Sequence, residues 1–557
     1  MGRQTVKKTY DAVVLGSGLA GLTAALKLRE RGCSVAVISK LGPGRASNTG
    51  VSMGYFAFPD DEVSYKKHMY ETFQAGAWMN DKTVVNEILQ SAEISYSFLK
   101  KYLHISFIAQ KNGFHLGKTR FFFPGYQLIN ELVKQGRYNG IDFYNFHLPL
   151  EITVFNNECR GVFTLDRSYN FNFFSTTNIL IATGGFAGAY NPYSDNSPGI
   201  LGEGLILAWR AGAVLKDLEF IQFYPIGFDQ AGLPRFMVPT DYPQNAKLIN
   251  NQGENILNKY GIEIQGSGDL NKICRNKKGV LSAVIAKEKK QGFQVFLDFS
   301  QCQLADMKRL QIIDKNQPWQ TIPIKISPMA HFTMGGIEVT PNMESAVTGI
   351  FAAGEACAGF HGADSLQGNA LLEAMSSGYL AAVNMGKRIN ETSDVCHHSE
   401  MDLFDSHIKN PLLSLYQEYG AGEETKDVKP PSKIPVLFSS RVKEKMKHTR
   451  DKLGSVAINH IGPMRTAQGI YQGLSRINML YSELINFTPE LLKYYNRFPK
   501  KFYSLEMTTC LLCFVHQAAL EREESRGTHI REDFPQTKGN FNGHIYFNLK
   551  SKTNKEN

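Results

Sequence analysis

The feature that most constrains the fold is a glycine-rich turn close to the start of the 557-residue chain. A short apolar strand is predicted at 11–15 (DAVVL), and Gly16, Gly18 and Gly21 follow it with the spacing G-x-G-x-x-G. A helical pattern (LTAALKLRERG) and a second apolar strand at 34–39 come next. The glycines permit a tight turn, a close backbone approach to a pyrophosphate and close helix–strand packing. This order predicts a Rossmann-like α/β unit whose helix N-terminus binds dinucleotide phosphates.

The second strand ends in Ser39 and Lys40, where NAD-binding units place an acidic residue that binds the ribose. The ending therefore does not favour tight NAD binding.

Composition sets broader limits. Hydrophobic residues make up 43% of the chain and charged residues 20%, which is typical of a globular protein with about two to four domains. The net charge of +9 is dispersed in short clusters, so we expect a solvated surface and no nucleic-acid partner. The chain has no apolar run of membrane-spanning length and no signal peptide before the first strand, so we expect a cytoplasmic protein without a membrane span.

Eight cysteines are too scattered for a disulfide framework. Cys510 and Cys513 form the one close pair, in an apolar helical pattern that predicts buried thiols; a redox pair or a cluster ligand is the alternative. No iron–sulfur spacing is complete, so we predict no metal site and expect electrons to pass to or from a separate protein or oxygen.

Further segments extend the interpretation to most of the chain. They are NILIATGGFAG at 178–188, NPYSDNSPGILGEG through QFYPIG within 191–228, PMAHFTMGG from 328, HGADSLQGNALLE at 361–373 and ALEREESRGTHIREDFP at 519–535. In this order they resemble segments of the fumarate reductase and succinate dehydrogenase flavoprotein family, which includes L-aspartate oxidase. The chain is identified as a divergent member of that family.

The resemblance implies a glutathione-reductase-type Rossmann FAD-binding domain with an inserted α+β capping domain and a C-terminal helical domain. The implied boundaries are 1–227 and 328–395 for the FAD-binding domain, 228–327 for the capping domain, and 396–557 for the helical domain and tail.

The cofactor implied by the resemblance is FAD. Asn48 stands where family members with covalent FAD carry a histidine, so we expect the flavin to be bound non-covalently. The candidate cofactor-binding residues are Gly16, Gly18, Gly21, Ser39, Lys40, Ser47, Thr49, Gly54, Thr183, Gly184, Glu203, Glu355, Asn369, Ala370 and Leu371.

The substrate-binding positions depart from the family pattern. Only the family histidine at His331 is retained, whereas a second histidine is replaced by Tyr224 and a substrate-binding arginine by Ser365. The proton-donating arginine falls on Lys278, although a shifted alignment would give that role to Arg275. The rest of the family's proton relay has only Thr240 and Asp241 as equivalents. His331, Lys278, Tyr224, Ser365 and Arg275 are the candidate catalytic residues.

Three explanations compete for these departures: a changed substrate, a slipped alignment in the cap, and lost catalysis. We favour an FAD-dependent oxidoreductase that transfers hydride between flavin N5 and a carbon–carbon or carbon–nitrogen bond of a small molecule other than fumarate or succinate. The alternatives are an L-aspartate oxidase-like amino acid oxidase and an inactive flavin-binding electron-transfer subunit. The resemblance implies an iron–sulfur or other electron-transfer subunit as a partner.

Overall fold

The computed structural model describes residues 6–392, 436–494 and 500–549, apart from short gaps at 46, 60, 111–112, 118–122, 169, 237–241, 244, 264–268, 304–306, 315 and 540–542.

A parallel sheet forms the centre of the molecule. Its spatial order is β18 (Ile350–Ala352), β11 (Ile179–Ile181), β2 (Ala12–Leu15), β3 (Val35–Ser39) and β7 (Asp142–Asn145). All four pairings are parallel. Strands β2, β3, β11 and β18 are fully buried, as expected for a sheet covered on both faces. The strand, turn, helix and strand predicted near the start of the chain lie at its centre.

Four smaller sheets surround it. They are β1 (Val6–Thr9), β10 (Phe171–Ser175), β9 (Glu158–Leu165) and β8 (Leu148–Phe155); β13 (Ile221–Phe228), β16 (Ile324–Thr333), β15 (Val295–Asp298) and β14 (Lys247–Asn250); β17 (Gly336–Ile337), β12 (Leu215–Lys216) and β19 (Tyr546–Phe547); and β4 (Tyr55–Ala57), β6 (Gly113–Leu116) and β5 (Phe107–Gln110).

Helices cover the sheets and form the last part of the described chain. They are α1 (Leu19–Glu30), α2 (Glu62–Ala75), α3 (Lys82–Gln90), α4 (Ala92–Lys100), α5 (Pro124–Tyr138), α6 (Glu203–Ala211), α7 (Ile256–Lys259), α8 (Leu270–Asn276), α9 (Lys278–Lys290), α10 (Lys308–Ile313), α11 (Asn369–Thr392), α12 (Val436–His460), α13 (Ala467–Tyr494) and α14 (Lys500–Glu521). Helix α1 packs against α11 and α5, and α14 packs against α13, α12 and α6. The predicted fold class is confirmed.

The molecule has a main hydrophobic core and a second, separate one. The main core runs from the parallel sheet into α12–α14. The second core draws its residues from 224–326 and fills the space between the β13–β16–β15–β14 sheet and α8 and α9. Helix α9 is held on this sheet by Ser282, whose hydroxyl donates to the carbonyl of Phe223 (3.0 Å).

Cys510 and Cys513 lie on α14, as the helical pattern predicts, but both are half-buried, so the prediction of buried thiols is wrong in degree. The thiol of Cys513 donates to Asn478 Oδ1 (3.4 Å), a polar contact between α14 and α13. Within the described part of the chain, no helix is long and apolar enough to cross a membrane, and no three metal-ligating side chains converge. The compartment stays a prediction.

Candidate flavin and substrate site

The candidate cofactor residues gather at one edge of the parallel sheet. Parallel strands end on the same side, so the residues that follow them meet there. The residues at this edge are Gly16 and Gly18 after β2, Ser39 and Lys40 at the end of β3, Thr183 and Gly184 after β11, and Glu355 after β18.

The glycine turn has the geometry that a bound pyrophosphate requires. Gly16 has φ +112°, and a Cβ there would lie 2.1 Å from the carbonyl oxygen of Ala182. A Cβ on Gly21 would lie 2.3 Å from the carbonyl oxygen of Gly16, so both glycines are needed for packing. At Gly18 a Cβ would meet nothing closer than Ser47 Cβ at 3.6 Å, an ordinary van der Waals contact, so this position before the N-terminus of α1 is not crowded. These residues therefore fit a dinucleotide at the positive end of the helix dipole.

Lys40 and Glu203 form an ion pair at the same edge. Lys40 Nζ lies 2.5 Å from Glu203 Oε1 and donates to the carbonyl of Gly199 (2.7 Å). Ser39 donates to the carbonyl of Leu41 (2.6 Å). These contacts fix the start of α6 against the end of β3.

The loop after β3 supports α1. Thr49 Oγ1 accepts from the N–H of Leu19, the first residue of α1 (3.3 Å), and the Ser47 hydroxyl donates to a carbonyl of its own turn. Gly54 has φ +75°, and a Cβ there would lie 2.8 Å from Leu116. Its role in this structure is close packing rather than an open approach to a ligand.

The Glu355 carboxylate accepts hydrogen bonds from several groups in a polar network beside the glycine turn. One of its carboxylate oxygens accepts from Asn48 Nδ2 (2.9 Å), and the other accepts from the N–H of Thr333 (3.2 Å). Asn48 Nδ2 also donates to Asn196 Oδ1 (2.6 Å). Burial raises the pKa of Glu355 to about 7, although the amide of Asn48 opposes the shift. The amide of Asn48 is thus engaged with protein groups.

The first residues of α11, at 369–371, are also candidate cofactor residues. Asn369 Nδ2 donates to Thr72 Oγ1 (3.0 Å), so its side chain is used inside the protein. Ala370 packs on the small apolar cluster that contains Phe332, and Leu371 belongs to the main core. What this turn offers a ligand is its backbone, because the first N–H groups of a helix have no partner within the helix.

His331 lies across from this network, on β16. Its Nδ1 is 2.7 Å from Asp195 Oδ2, and its backbone carbonyl accepts from Asn196 Nδ2 (2.6 Å). Burial lowers the pKa of His331, but the Asp195 carboxylate more than offsets this, so the net pKa is raised. Lys278 is near enough for its charge to oppose protonation of the ring. The His331 side chain keeps 38% exposure and so stays open to a ligand.

Lys278 and Ser365 are brought together. Lys278 begins α9, and its Nζ donates to the carbonyl of Ser365 (2.8 Å) and lies 3.6 Å from Asp364 Oδ1. The lysine side chain is only 15% exposed, so it is not a surface lysine. Gln222 on β13 donates from Nε2 to both Asp364 Oδ1 (2.5 Å) and Ser365 Oγ (2.8 Å).

Tyr224 is two residues further along β13. Its hydroxyl lies 3.0 Å from that of Tyr242, and its ring centroid is 6.1 Å from that of His331. The side chain of Arg275, and all of Thr240 and Asp241, lie outside the described residues.

Sequence reasoning missed the partners of these groups: Asp195, Asn196 and Gln222. Gln222 had a usable signal, because it precedes Tyr224 by two positions and side chains on a strand repeat with period two. Asp195 sits in an irregular loop, and its meeting with β16 depends on long-range packing that has no local pattern.

The site and the fold together define an FAD enzyme. Residues 11–371 match the FAD binding domain family, and residues 450–556 match the fumarate reductase flavoprotein C-terminal family. The chain belongs to the fumarate reductase and succinate dehydrogenase flavoprotein family, FAD is its cofactor, and it is an FAD-dependent oxidoreductase.

Relatives in this family carry different activities. The chain is 28% identical to an L-aspartate oxidase of Pyrococcus furiosus over 95% of this chain and 96% of that one. It is 26% identical to an 8-methylmenaquinol:fumarate reductase flavoprotein subunit of Wolinella succinogenes, over 94% and 86%. A quinol–fumarate reductase solved with menaquinol molecules has the same fold, with TM-score 0.78 and 22% identity over 97% and 96%.

Proposed function

We propose that the chain transfers hydride between FAD and a carbon–carbon or carbon–nitrogen bond of a substrate other than fumarate or succinate. The observation that carries this proposal is Ser365, which stands where the family resemblance places a substrate-binding arginine. An arginine fork meets a carboxylate with two parallel hydrogen bonds, and a serine hydroxyl does not replace it. The neighbouring cation, Lys278, is already engaged by Asp364 and the Ser365 carbonyl.

On the flavin side, the turn from Gly16 to Gly21 and the start of α1 would hold the pyrophosphate, and the first turn of α11 would face the ring with its backbone. Bound FAD supplies the hydride chemistry. We propose that it is held without a covalent bond, because an asparagine amide at position 48 has no nucleophilic ring nitrogen. Glu355 and Asn196 keep that amide in place.

On the substrate side, His331 is proposed to polarise or protonate the substrate. Its Nδ1 is bonded to Asp195, which leaves Nε2 as the ring nitrogen available to a substrate. Lys278 is the proposed proton donor, and Arg275 stays the alternative for that role.

The unit with the second core, 228–327, is the proposed capping domain, between the FAD-binding parts 1–227 and 328–395. It carries Lys278 to the loop that holds Ser365, so cap closure would bring the proposed proton donor to the substrate and exclude water. The segment 396–557 is the proposed helical domain and tail.

We propose a separate electron-transfer protein as the redox partner. The Wolinella succinogenes relative is named as a subunit, which supports a partner, whereas the L-aspartate oxidase relative supports direct use of oxygen. Mixing dithionite-reduced protein with air-saturated buffer separates the two. Reoxidation at turnover rates with stoichiometric peroxide, and no co-purifying subunit from the native source, would make this an oxidase.

The function itself is tested on the purified protein. Acid precipitation should release the yellow colour into the supernatant, and colour kept in the pellet would contradict the non-covalent assignment. A protein that takes up no FAD would contradict flavin binding in this chain. Fumarate and succinate should turn over poorly, because a desolvated arginine pair contributes about 2–5 kcal/mol, or about 30-fold to several thousand-fold in rate. Fumarate reduction at rates ordinary for the family would overturn the substrate proposal.

A further inference from the structure

The cluster around Ser365 is built from three elements that are far apart in sequence. Asp364 and Ser365 come from the loop before α11, Gln222 from β13 and Lys278 from α9. We refer to these four residues as the Asp364 cluster. Its side chains are partly shielded: Asp364 is 22% exposed, and Gln222 as a whole is 3% exposed.

The side-chain nitrogens of this cluster are already engaged, whereas the Ser365 hydroxyl accepts from Gln222 and keeps its own O–H. Gln222 Nε2 carries two hydrogens, and its two hydrogen bonds go to Asp364 Oδ1 and Ser365 Oγ. The Lys278 ammonium is directed at the Ser365 carbonyl and at Asp364 Oδ1. A substrate carboxylate arriving here would therefore have to compete with Asp364 for both groups.

An acceptor, by contrast, is left over. Asp364 Oδ1 takes the contacts from Gln222, Lys278 and the Ser365 N–H (2.8 Å). The second oxygen, Oδ2, has no hydrogen-bond or ion-pair partner among the residues that the structure describes. An ionised carboxylate oxygen is a strong acceptor and donates nothing.

Apolar residues near Asp364 strengthen the electrostatic effect of its carboxylate. Ala363, directly before Asp364, packs with Phe332, Phe220, Met334 and Met79 in a small apolar cluster. Next to apolar walls, the effective dielectric constant is well below that of water, so a carboxylate repels a second carboxylate strongly. Gln222 pairs across the sheet with Phe332, the residue after His331, and Lys278 is near enough for its charge to act on the His331 ring, so the Asp364 cluster lies beside the proposed substrate groups.

We propose that Asp364 selects a substrate whose polar group at this end of the site is an uncharged or cationic N–H or O–H donor, such as an amide or an amine, and rejects a carboxylate there. This inference rests on the proposed function, because it specifies the substrate class for the same site. Ser365 leaves room for that group, and Gln222 and Lys278 hold Asp364 in place.

Three probes with one carbon skeleton test the proposal: fumarate with two carboxylates, fumaramate with one carboxylate and one amide, and fumaramide with two amides. Their dissociation constants are measured on the FAD-loaded protein by calorimetry and by the change in the flavin spectrum. We expect both amides to bind the wild type at least about ten-fold more tightly than fumarate. The double variant Asp364→Asn/Ser365→Arg should reverse the order, and Asp364→Asn alone should reduce the preference at least about ten-fold.

Three results would overturn the proposal: fumarate binding the wild type as tightly as the amides, an amide preference that Asp364→Asn leaves unchanged, or no binding of any probe up to about 10 mM. The Lys290→Gln variant is the control, because Lys290 is on the same helix but lies 3.5 Å from Glu532, outside the site. Calorimetry keeps this test separate from the proposed function. A protein that holds no FAD fails the earlier test, whereas a flavoprotein that prefers fumarate fails only this one.

Discussion

Two groups of charged residues, both next to the loop at 361–365, differ sharply in how they are buried. The first, the C-terminal charge cluster, consists of Arg522, Arg526, Glu219 and Glu524, whose side chains are 0–7% exposed. Arg522 lies 2.5 Å from Glu219 and 3.1 Å from Glu524, and Arg526 lies 2.8 Å from Glu524. The second is the Asp364 cluster, whose ion pair keeps 15% and 22% exposure.

The difference teaches which charges support the fold and which are open to a ligand. A fully buried charge must be paired, since desolvation alone costs several kcal/mol. The C-terminal charge cluster meets this condition, and its groups are directed at one another. A charge that stays partly exposed can exchange a protein contact for a substrate contact.

The buried cluster also holds the other one in position. Thr528, from the same C-terminal string, donates from its N–H (3.0 Å) and its hydroxyl (3.1 Å) to the carbonyl of Ala363. Glu219 lies two residues before β13, the strand that carries Gln222. The buried C-terminal string therefore contacts the loop that carries Asp364, and Glu219 leads into the strand that carries Gln222.

The largest effect is expected from Arg522→Ala, which leaves Glu219 buried without its cation. Removing one partner of a buried pair costs about 3–5 kcal/mol. Denaturant unfolding followed by flavin release and far-UV dichroism measures this loss.

Arg450→Ala is the matched control for that change. Arg450 lies 3.4 Å from Asp451, and their side chains are 58% and 52% exposed. An exposed pair contributes about 0–1 kcal/mol. Equal losses of unfolding free energy for Arg522→Ala and Arg450→Ala would contradict the view that the C-terminal charge cluster supports the fold.

The next largest effect is expected from Lys278→Met, which tests the Asp364 cluster directly. With the best substrate from an anaerobic flavin-reduction screen, kcat/KM should fall about 10²- to 10⁴-fold if Lys278 donates the proton. Lys290→Met is the control on the same helix and should change kcat/KM less than about two-fold. If Lys278→Met lowers kcat/KM by less than about ten-fold, another group donates the proton, and Arg275 is the first residue to test.

The gathering of the candidate cofactor residues at one edge of the sheet could be predicted from the sequence because its signals are local. Gly16, Gly18 and Gly21 have fixed spacing, and the carboxyl ends of parallel strands necessarily share an edge. The substrate side could be read only as a set of departures. That Ser365, Gln222 and Lys278 meet depends on how a loop, a strand and a helix pack, and no spacing within one segment encodes it.

A smaller effect is expected from Asp195→Asn. This carboxylate raises the pKa of His331 against the effect of burial, so its loss should lower that pKa. If catalysis needs the protonated ring, the alkaline limb of kcat/KM should move to lower pH. Asp166→Asn, in a surface turn with Asn170, should leave the profile unchanged.

The His331–Asp195 pair should also affect how the unfolding free energy depends on pH. Because the folded pKa of His331 is raised, its contribution is fully present below the unfolded value of about 6.5 and is lost as pH rises through the folded pKa. Unfolding free energies measured across this window should converge for wild type and Asp195→Asn at alkaline pH. A constant difference at every pH would mean that the variant acts through packing instead.

The smallest effect is expected from Tyr224→Phe, which decides between a tyrosine that donates a proton and one that packs. The Tyr224 hydroxyl is 3.0 Å from that of Tyr242, and both rings are buried in the second core. Removing one hydroxyl from such a pair costs about 0.5–1.5 kcal/mol of stability. Turnover should change less than about five-fold, because the hydroxyl faces Tyr242 and its loss leaves His331 and Lys278 in place. A loss of about 10²-fold or more in kcat, with the unfolding free energy unchanged, would instead make Tyr224 a general acid. The substrate site would then include a residue of the second core.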